Sequence, residues 1–294
     1  MKYINDFIEY LEVIKKCSDY TIDNYEKDII EFNVFLEDNK YKINKIDYDI
    51  VKKYLLYLYD KKLSRSSISR KLSSLRSFYK YLENEYNISN DYFSDINNPK
   101  KEKNLPKFIK DSDLDKMFSS INKDTTLGQR NLLILELLYA SGIRVSELVN
   151  LKLSDFNLYE RSIKILGKGN KERIVYYGSF CEDALDLYLK DSRRELNKHD
   201  SSYLLLNKNG NKISERQIRN ILNDIILKSS VDMHISPHML RHTFATDMLN
   251  NGADLVSVKE LLGHESLDTT SIYTHITDEK IRKIYDLAHP RAKE

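Results

Sequence analysis

Through the first 86 residues, apolar side chains recur every three or four positions, the spacing that lines one face of an α-helix. Phe7, Ile8, Leu11 and Ile14 mark a first helix. Ser18-Asp19-Tyr20-Thr21 interrupts it and supplies capping residues for a second, striped by Tyr25, Ile29, Phe32 and Leu36. A third helix is predicted around residues 50–59. A fourth is predicted around 68–82, where Leu72, Leu75, Tyr79 and Leu82 form the stripe. The pattern predicts a small helical bundle over residues 1–86. From 87 to 108 the stretch is largely polar, with Pro99, Pro106 and the run Lys100-Lys101-Glu102-Lys103, which reads as an interdomain linker.

Beyond the linker the element types alternate. Asp111 or Ser112 can cap a helix, and residues 131–140 read as a buried helix ended by Gly142. A short helix is expected from Val145 to Leu151. Residues 162–166 and 173–177 read as strands, with Gly167-Lys168-Gly169-Asn170 as the turn of a β-hairpin. Helical spacing returns at 184–188, at 214–228 and on to the C-terminus. The expected fold is mainly α, in two domains, the second (109–294) carrying a small antiparallel β-sheet.

Composition narrows this further. With Gly 8 and Pro 4, the chain lacks the turn residues of an all-β architecture. Its 47 basic and 45 acidic residues nearly cancel, so net charge does not announce a nucleic-acid binder and any basic surface has to come from clustering. One such cluster exists. Lys61, Lys62, Arg65, Arg70, Lys71, Arg76 and Lys80 lie in a stretch with no acid between Lys61 and Tyr81, interleaved with seven serines from Ser64 to Ser77. Short hydroxyls and long cations suit a phosphate backbone, and equally an ordinary solvated helix face. The cysteines, Cys17 and Cys181, form no C-x-x-C motif and suit a reducing compartment. The most apolar run, 132–140, carries Glu136 and falls short of the roughly 18 residues of a membrane span. A cytoplasmic protein with no membrane partner is the expectation.

Four segments of the second half concentrate chemistry. In Ser-Gly-Ile-Arg-Val-Ser-Glu-Leu, Arg144 sits among apolar neighbours where one helix ends and the next begins. It either pairs with Glu147 one turn on or aims at an anionic ligand. Lys168 is at the tip of the hairpin, a solvated turn lysine or a reaching donor. His238 and Arg241 share a helix face at i, i+3 behind Pro237. His238 and His242 have the i, i+4 spacing of metal ligands, but no intervening glutamate or third ligand accompanies them, so no metal is expected. Gly263 ends a helix before His264, and Tyr273 follows, one of 21 tyrosines.

Taken together, Arg144, Lys168, His238-x-x-Arg241, His264 and Tyr273 resemble, in order and spacing, the catalytic set of the tyrosine recombinase (phage integrase) family. The surrounding words match its Xer branch most closely: Gly-Lys-Gly-Asn-Lys-Glu-Arg, Pro-His-Met-Leu-Arg-His-Thr-Phe-Ala-Thr, Leu-Leu-Gly-His and Ile-Tyr-Thr-His. The resemblance extends to 70–82 in the first domain and to His289-Pro290-Arg291-Ala292 in the tail, and so covers essentially the whole chain.

That resemblance implies a core-binding helical domain, a catalytic domain and a C-terminal interaction helix that docks on a neighbouring protomer. By it, Tyr273 is the nucleophile toward a DNA phosphate, and Arg144, Arg241 and His264 hold the non-bridging oxygens. His238 is the candidate base and Lys168 the candidate acid, with no cofactor. Implied partners are double-stranded DNA and three further protomers, copies of the chain or a paralogue, with a DNA translocase of the FtsK type as activator. Dimer resolution at a dif-type site is the leading expectation. The alternatives are a mobile-element integrase and a DNA-binding regulator without catalysis.

Overall fold

A computed structural model describes residues 1–88, 92–99, 108–167, 172–263 and 278–292. The chain divides into two compact units, Met1–Leu105 and Pro106–Glu294.

In the first unit, α1 (Lys2–Glu9) continues into a π-helical turn, Tyr10–Ile14, and is followed by α2 (Asp19–Asp38), α3 (Tyr48–Asp60) and α4 (Arg65–Tyr86). Each of the last three starts behind an oxygen-bearing cap: Ser18, Asp47 and Ser64 accept from the N–H groups of Thr21, Ile50 and Ser67. The predicted stripes bury as expected, with Ile29, Phe32, Leu72, Leu75, Tyr79 and Leu82 fully enclosed. Ile14 does not follow its stripe and is 66% exposed. The wider π turn advances the helix by more residues per turn and rotates Ile14 off the buried face. Part of the stretch read as linker belongs to this core: Phe93 is fully buried, with its ring 5.4 Å from those of Phe32 and Tyr79.

The second unit is built around α6 (Thr126–Ser141), buried on nearly every side, with α5 (Asp111–Ser119) before it and α7 (Val145–Leu148) after it. The sheet has three antiparallel strands, β1 (Phe156–Asn157), β2 (Ser162–Leu166) and β3 (Glu172–Tyr176), in the order β1-β2-β3. Ile163 stands opposite Val175, which places both on the buried face. After β3 come α8 (Ser179–Leu187), α9 (Arg193–Leu196), α10 (Glu215–Ser229), α11 (Pro237–Asn250), α12 (Leu255–Leu262) and α13 (Asp278–Ala288). The fold is mainly α, as the pattern predicts. Within the single chain described, the amphipathic tail helix α13 packs on its own unit, against α11, α12 and β3, burying Ile281 and Tyr285. Arg291 then locks the C-terminus. It pairs through two hydrogen bonds with Glu136, the buried acid of α6, and its guanidinium lies 4.1 Å from the ring centres of both Phe118 and Phe180. Among the described residues, no helix is long and apolar enough to cross a membrane.

Candidate active site

Gly142 ends α6 in the left-handed conformation, φ +59°, and turns the chain so that Arg144 stands just before α7. A side chain at Gly142 would collide with the Phe244 ring, which keeps this turn tight against α11. Glu147, on α7, reaches back to both parts of Arg144. Its Oε2 accepts from the Arg144 backbone N–H at 2.8 Å, and its Oε1 from the guanidinium at 2.9 Å. Arg144 thus has the local carboxylate partner, while its side chain keeps 35% exposure.

Glu147 has a second cation. Arg173, on β3, meets it in a bidentate pair, with both N···O distances 2.8 Å. Burial alone would raise the Glu147 carboxyl, but the hydrogen bonds from Arg173 and Arg144 outweigh it and hold the group below the usual carboxylate range. Four hydrogen bonds thus fill the lone-pair capacity of one carboxylate.

The end of α12 draws these groups together. Its last carbonyls each receive a different arginine: Leu261 from Arg173 at 3.1 Å, Leu262 from Arg241 and Gly263 from Arg144 at 3.3 Å. Arg241 is buried on α11 and also donates to Gly142 at 2.6 Å. Burial, and then the proximity of Arg144, pushes its pKa down to about 10, so it remains a cation at neutral pH. His238, one turn earlier on α11, is exposed. Positive charge is thus concentrated against the C-terminal carbonyls of a helix, which partly balance it.

Lys168, His264 and Tyr273 lie outside the described residues. The described chain is pinned on both sides of residues 264–277: Arg144 holds the Gly263 carbonyl, and the Tyr176 hydroxyl donates to that of Asp278 at 3.0 Å. Among the described residues there is no cluster of histidine, cysteine, aspartate and glutamate able to hold a metal ion.

The basic cluster of α4 is not uniformly a surface feature. Lys71 is buried, its ammonium 3.0 Å from Asp28 and 2.7 Å from Glu31. Arg76 is turned inward to the carbonyls of Phe93 and Ile96. These two serve the bundle rather than its exterior, because both sit on the packed side of α4. Arg70 also pairs with Asp28, but its side chain keeps 43% exposure. Lys61, 3.6 Å from Glu31, is 45% exposed, and Lys62, Arg65 and Lys80 are exposed.

The sequence places Arg173 at the end of Gly-Lys-Gly-Asn-Lys-Glu-Arg but gives it no role. Its signal is the period of two in β3, which puts residue 173 on the same inward face as Val175.

The chain is similar to known proteins over nearly its whole length. Residues 107–280 match the model of the phage integrase family, and residues 4–86 match that of the phage integrase N-terminal SAM-like domain. The tyrosine recombinase XerC of Staphylococcus saprophyticus is 45% identical over 98% of this chain and 97% of its own length. A crystal structure of the XerH site-specific recombinase, bound to difH substrate in a pre-cleavage complex, is 26% identical with a TM-score of 0.67, over 89% of this chain and 78% of that one. A lambda integrase tetramer bound to a Holliday junction shares the fold alone, at 16% identity and a TM-score of 0.69, over 94% of this chain and 79% of that one.

Proposed function

The chain belongs to the phage integrase family and is a site-specific tyrosine recombinase, a DNA strand-exchange enzyme, and from that premise we propose how its own residues divide the reaction. The observation that carries the proposal is the meeting of Arg144 and Arg241 at the end of α12, directly before His264.

A phosphodiester repels nucleophiles, and its transition state spreads further charge over the non-bridging oxygens. Paired guanidinium N–H donors oppose both effects. In this reading Arg144 and Arg241 grip those oxygens and His264 adds a donor. A free phenol, with a pKa of about 10, is a poor nucleophile at neutral pH, so Tyr273 needs that positive surrounding and a proton acceptor, for which His238 is the candidate. The Tyr273 oxygen bonds to phosphorus, the bond to the 5′ oxygen breaks, and Lys168 gives that oxygen its proton. The product is a 3′-phosphotyrosyl DNA with a free 5′ hydroxyl. Because the ester keeps the bond energy, religation to a new strand requires no ATP and no metal.

The substrate in this reading is double-stranded DNA at a dif-type site, and the event is resolution of chromosome dimers in the cytoplasm. Two duplexes cut on two strands each call for four protomers, copies of this chain or of a paralogue. A translocase of the FtsK type fits as the activator. Likeness to XerC over nearly the whole chain supports the chromosomal role over that of a mobile-element integrase.

The test is covalent trapping on nicked duplex DNA in buffer containing EDTA. The wild-type chain should form an adduct at the 3′ phosphate. Tyr273→Phe should form none while binding the same DNA. An adduct on the Phe variant would remove Tyr273 from its role, and loss of the wild-type adduct on chelation would overturn the metal-free mechanism.

A further inference from the structure

We infer that Arg173 is a positioning residue for strand cleavage: by occupying Glu147 it keeps Arg144 from being withdrawn from the phosphate. The inference rests on the reading above, in which Arg144 grips a non-bridging oxygen.

The geometry sets out the competition. Glu147 is 6% exposed and can accept about four hydrogen bonds. Arg173 takes the two-pronged position, one bond to each oxygen, both at 2.8 Å. Arg144 is left with its backbone N–H and a single guanidinium contact on the same carboxylate. A carboxylate beside one arginine favours the parallel two-bond fork. With Arg173 absent, Arg144 is the cation able to make that fork. Its guanidinium would then turn inward and lose the 35% exposure through which it meets DNA.

Burial grades the two arginines accordingly. The Arg173 side chain is 12% exposed and spends its third donor, Nε, on the Leu261 carbonyl at 3.1 Å. Among the described residues, the other guanidinium contact of Arg144 is the long 3.3 Å approach to the Gly263 carbonyl, which a phosphate oxygen can displace. Arg173 is thus fixed at its carboxylate and Arg144 is loosely held. Charge supports the same division. One carboxylate shared between two arginines leaves the pair a net cation, whereas one carboxylate forked to one arginine leaves a neutral pair with little pull on DNA.

The test uses the full-length protein and measures single-turnover adduct formation on a nicked duplex carrying a dif-type core, with DNA affinity and melting midpoint measured alongside. Arg173→Met should cleave about 10- to 100-fold more slowly while DNA affinity changes little. The deciding variant is Arg173→Met combined with Glu147→Gln, which removes the charge that captures Arg144. It should cleave faster than Arg173→Met alone, because the two changes offset each other. A double variant as slow as the single, or slower, would show that Arg173 only packs the sheet and would overturn the inference. If Arg173→Met does not fold, Arg173→Lys decides: a lysine cannot make the two-bond fork, so Arg144 competes for the freed oxygen and cleavage should fall about threefold to tenfold, with the loss reversed when Glu147→Gln is added. A wild-type rate for Arg173→Lys, or a loss that Glu147→Gln does not reverse, would overturn the inference. Arg144→Ala itself separates the two levels. If it cleaves like wild type, the role given to Arg144 fails. If it is inactive, that role stands whatever the Arg173 variants do.

Discussion

Arg144 and Arg241 donate to neighbouring carbonyls, Gly263 and Leu262, yet the first is one-third exposed and the second is buried. The two should therefore fail differently. Arg241→Ala strands the Gly142 and Leu262 carbonyls inside the fold, at a cost of about 1–3 kcal/mol, so both the melting midpoint and the cleavage rate should fall. Arg144→Ala leaves Glu147 still paired with Arg173, so the melting midpoint should move less. Its cleavage should still fall about 100- to 1000-fold, as on losing one donor to a developing oxyanion. Calorimetry beside the adduct assay checks both, and equal melting shifts would count against the division.

Gly263 has φ +63°, a conformation that suits glycine, and it ends the helix on which the three arginines converge. A Cβ there would stand 2.9 Å from Cδ and 3.1 Å from Nε of Arg173. That side chain is held at its far end by Glu147, so it cannot move aside without breaking the pair. Gly263→Ala should cost about 1 kcal/mol for the left-handed backbone and, in addition, slow cleavage. A variant that melts lower but cleaves at the wild-type rate would show that the arginine register at α12 is not needed for chemistry.

Lys71 and Lys80 lie on one helix and should separate stability from DNA binding. Lys71 is enclosed with Asp28 and Glu31, so Lys71→Met should destabilise the first unit by about 1–3 kcal/mol. It should leave the salt dependence of DNA binding unchanged. Lys80 is exposed, so Lys80→Ala should leave the melting midpoint in place and reduce the slope of log affinity against log salt by about one. A reduced slope for Lys71→Met would show that its ammonium reaches DNA after all.

These residues also mark what the sequence makes legible. Leu72, Leu75, Tyr79 and Leu82 announce their helix because core packing repeats at the helical period, while β2 announces itself by the alternation Ile163-Lys164-Ile165 and β3 by the short apolar run from Ile174. β1 is two residues long, too short to carry any period. Ile14 falls on the expected stripe but off the core, since a π turn leaves no mark in apolar spacing. Lys71 follows the packed side of α4 in sequence, with Leu75, Phe78 and Leu82 at helical spacing. What makes a lysine tolerable there is Asp28, 43 residues away, and such a partner is a property of the fold. The same holds for Arg144. Its bond to Glu147 is local and foreseeable, whereas its exposure, its shared carboxylate and its contact with Gly263 depend on α12 and β3 arriving from elsewhere. Motif spacing picks out these arginines but not the contacts that distinguish them.

The tail carries a pH dependence of its own. His289 is buried with its ring stacked on Tyr285, 5.1 Å between centroids, and its Nδ1 accepts the Arg291 N–H at 3.1 Å. Burial, and then the charge of Arg291, pushes its pKa from 6.5 down to about 3. The folded chain thus keeps this imidazole neutral where the unfolded chain binds a proton. The associated stability is complete above about pH 6.5 and is lost as pH falls from there toward 3, by at most about 1.4 kcal/mol per unit. Between pH 6.5 and 5, where ordinary carboxylates stay ionised, the melting midpoint of the parent should fall. His289→Phe removes the titrating group, so its midpoint should fall less steeply over that interval, whatever its absolute value. Parallel curves for the two proteins would show that His289 titrates normally and that the tail opens more readily than its buried Glu136–Arg291 pair implies.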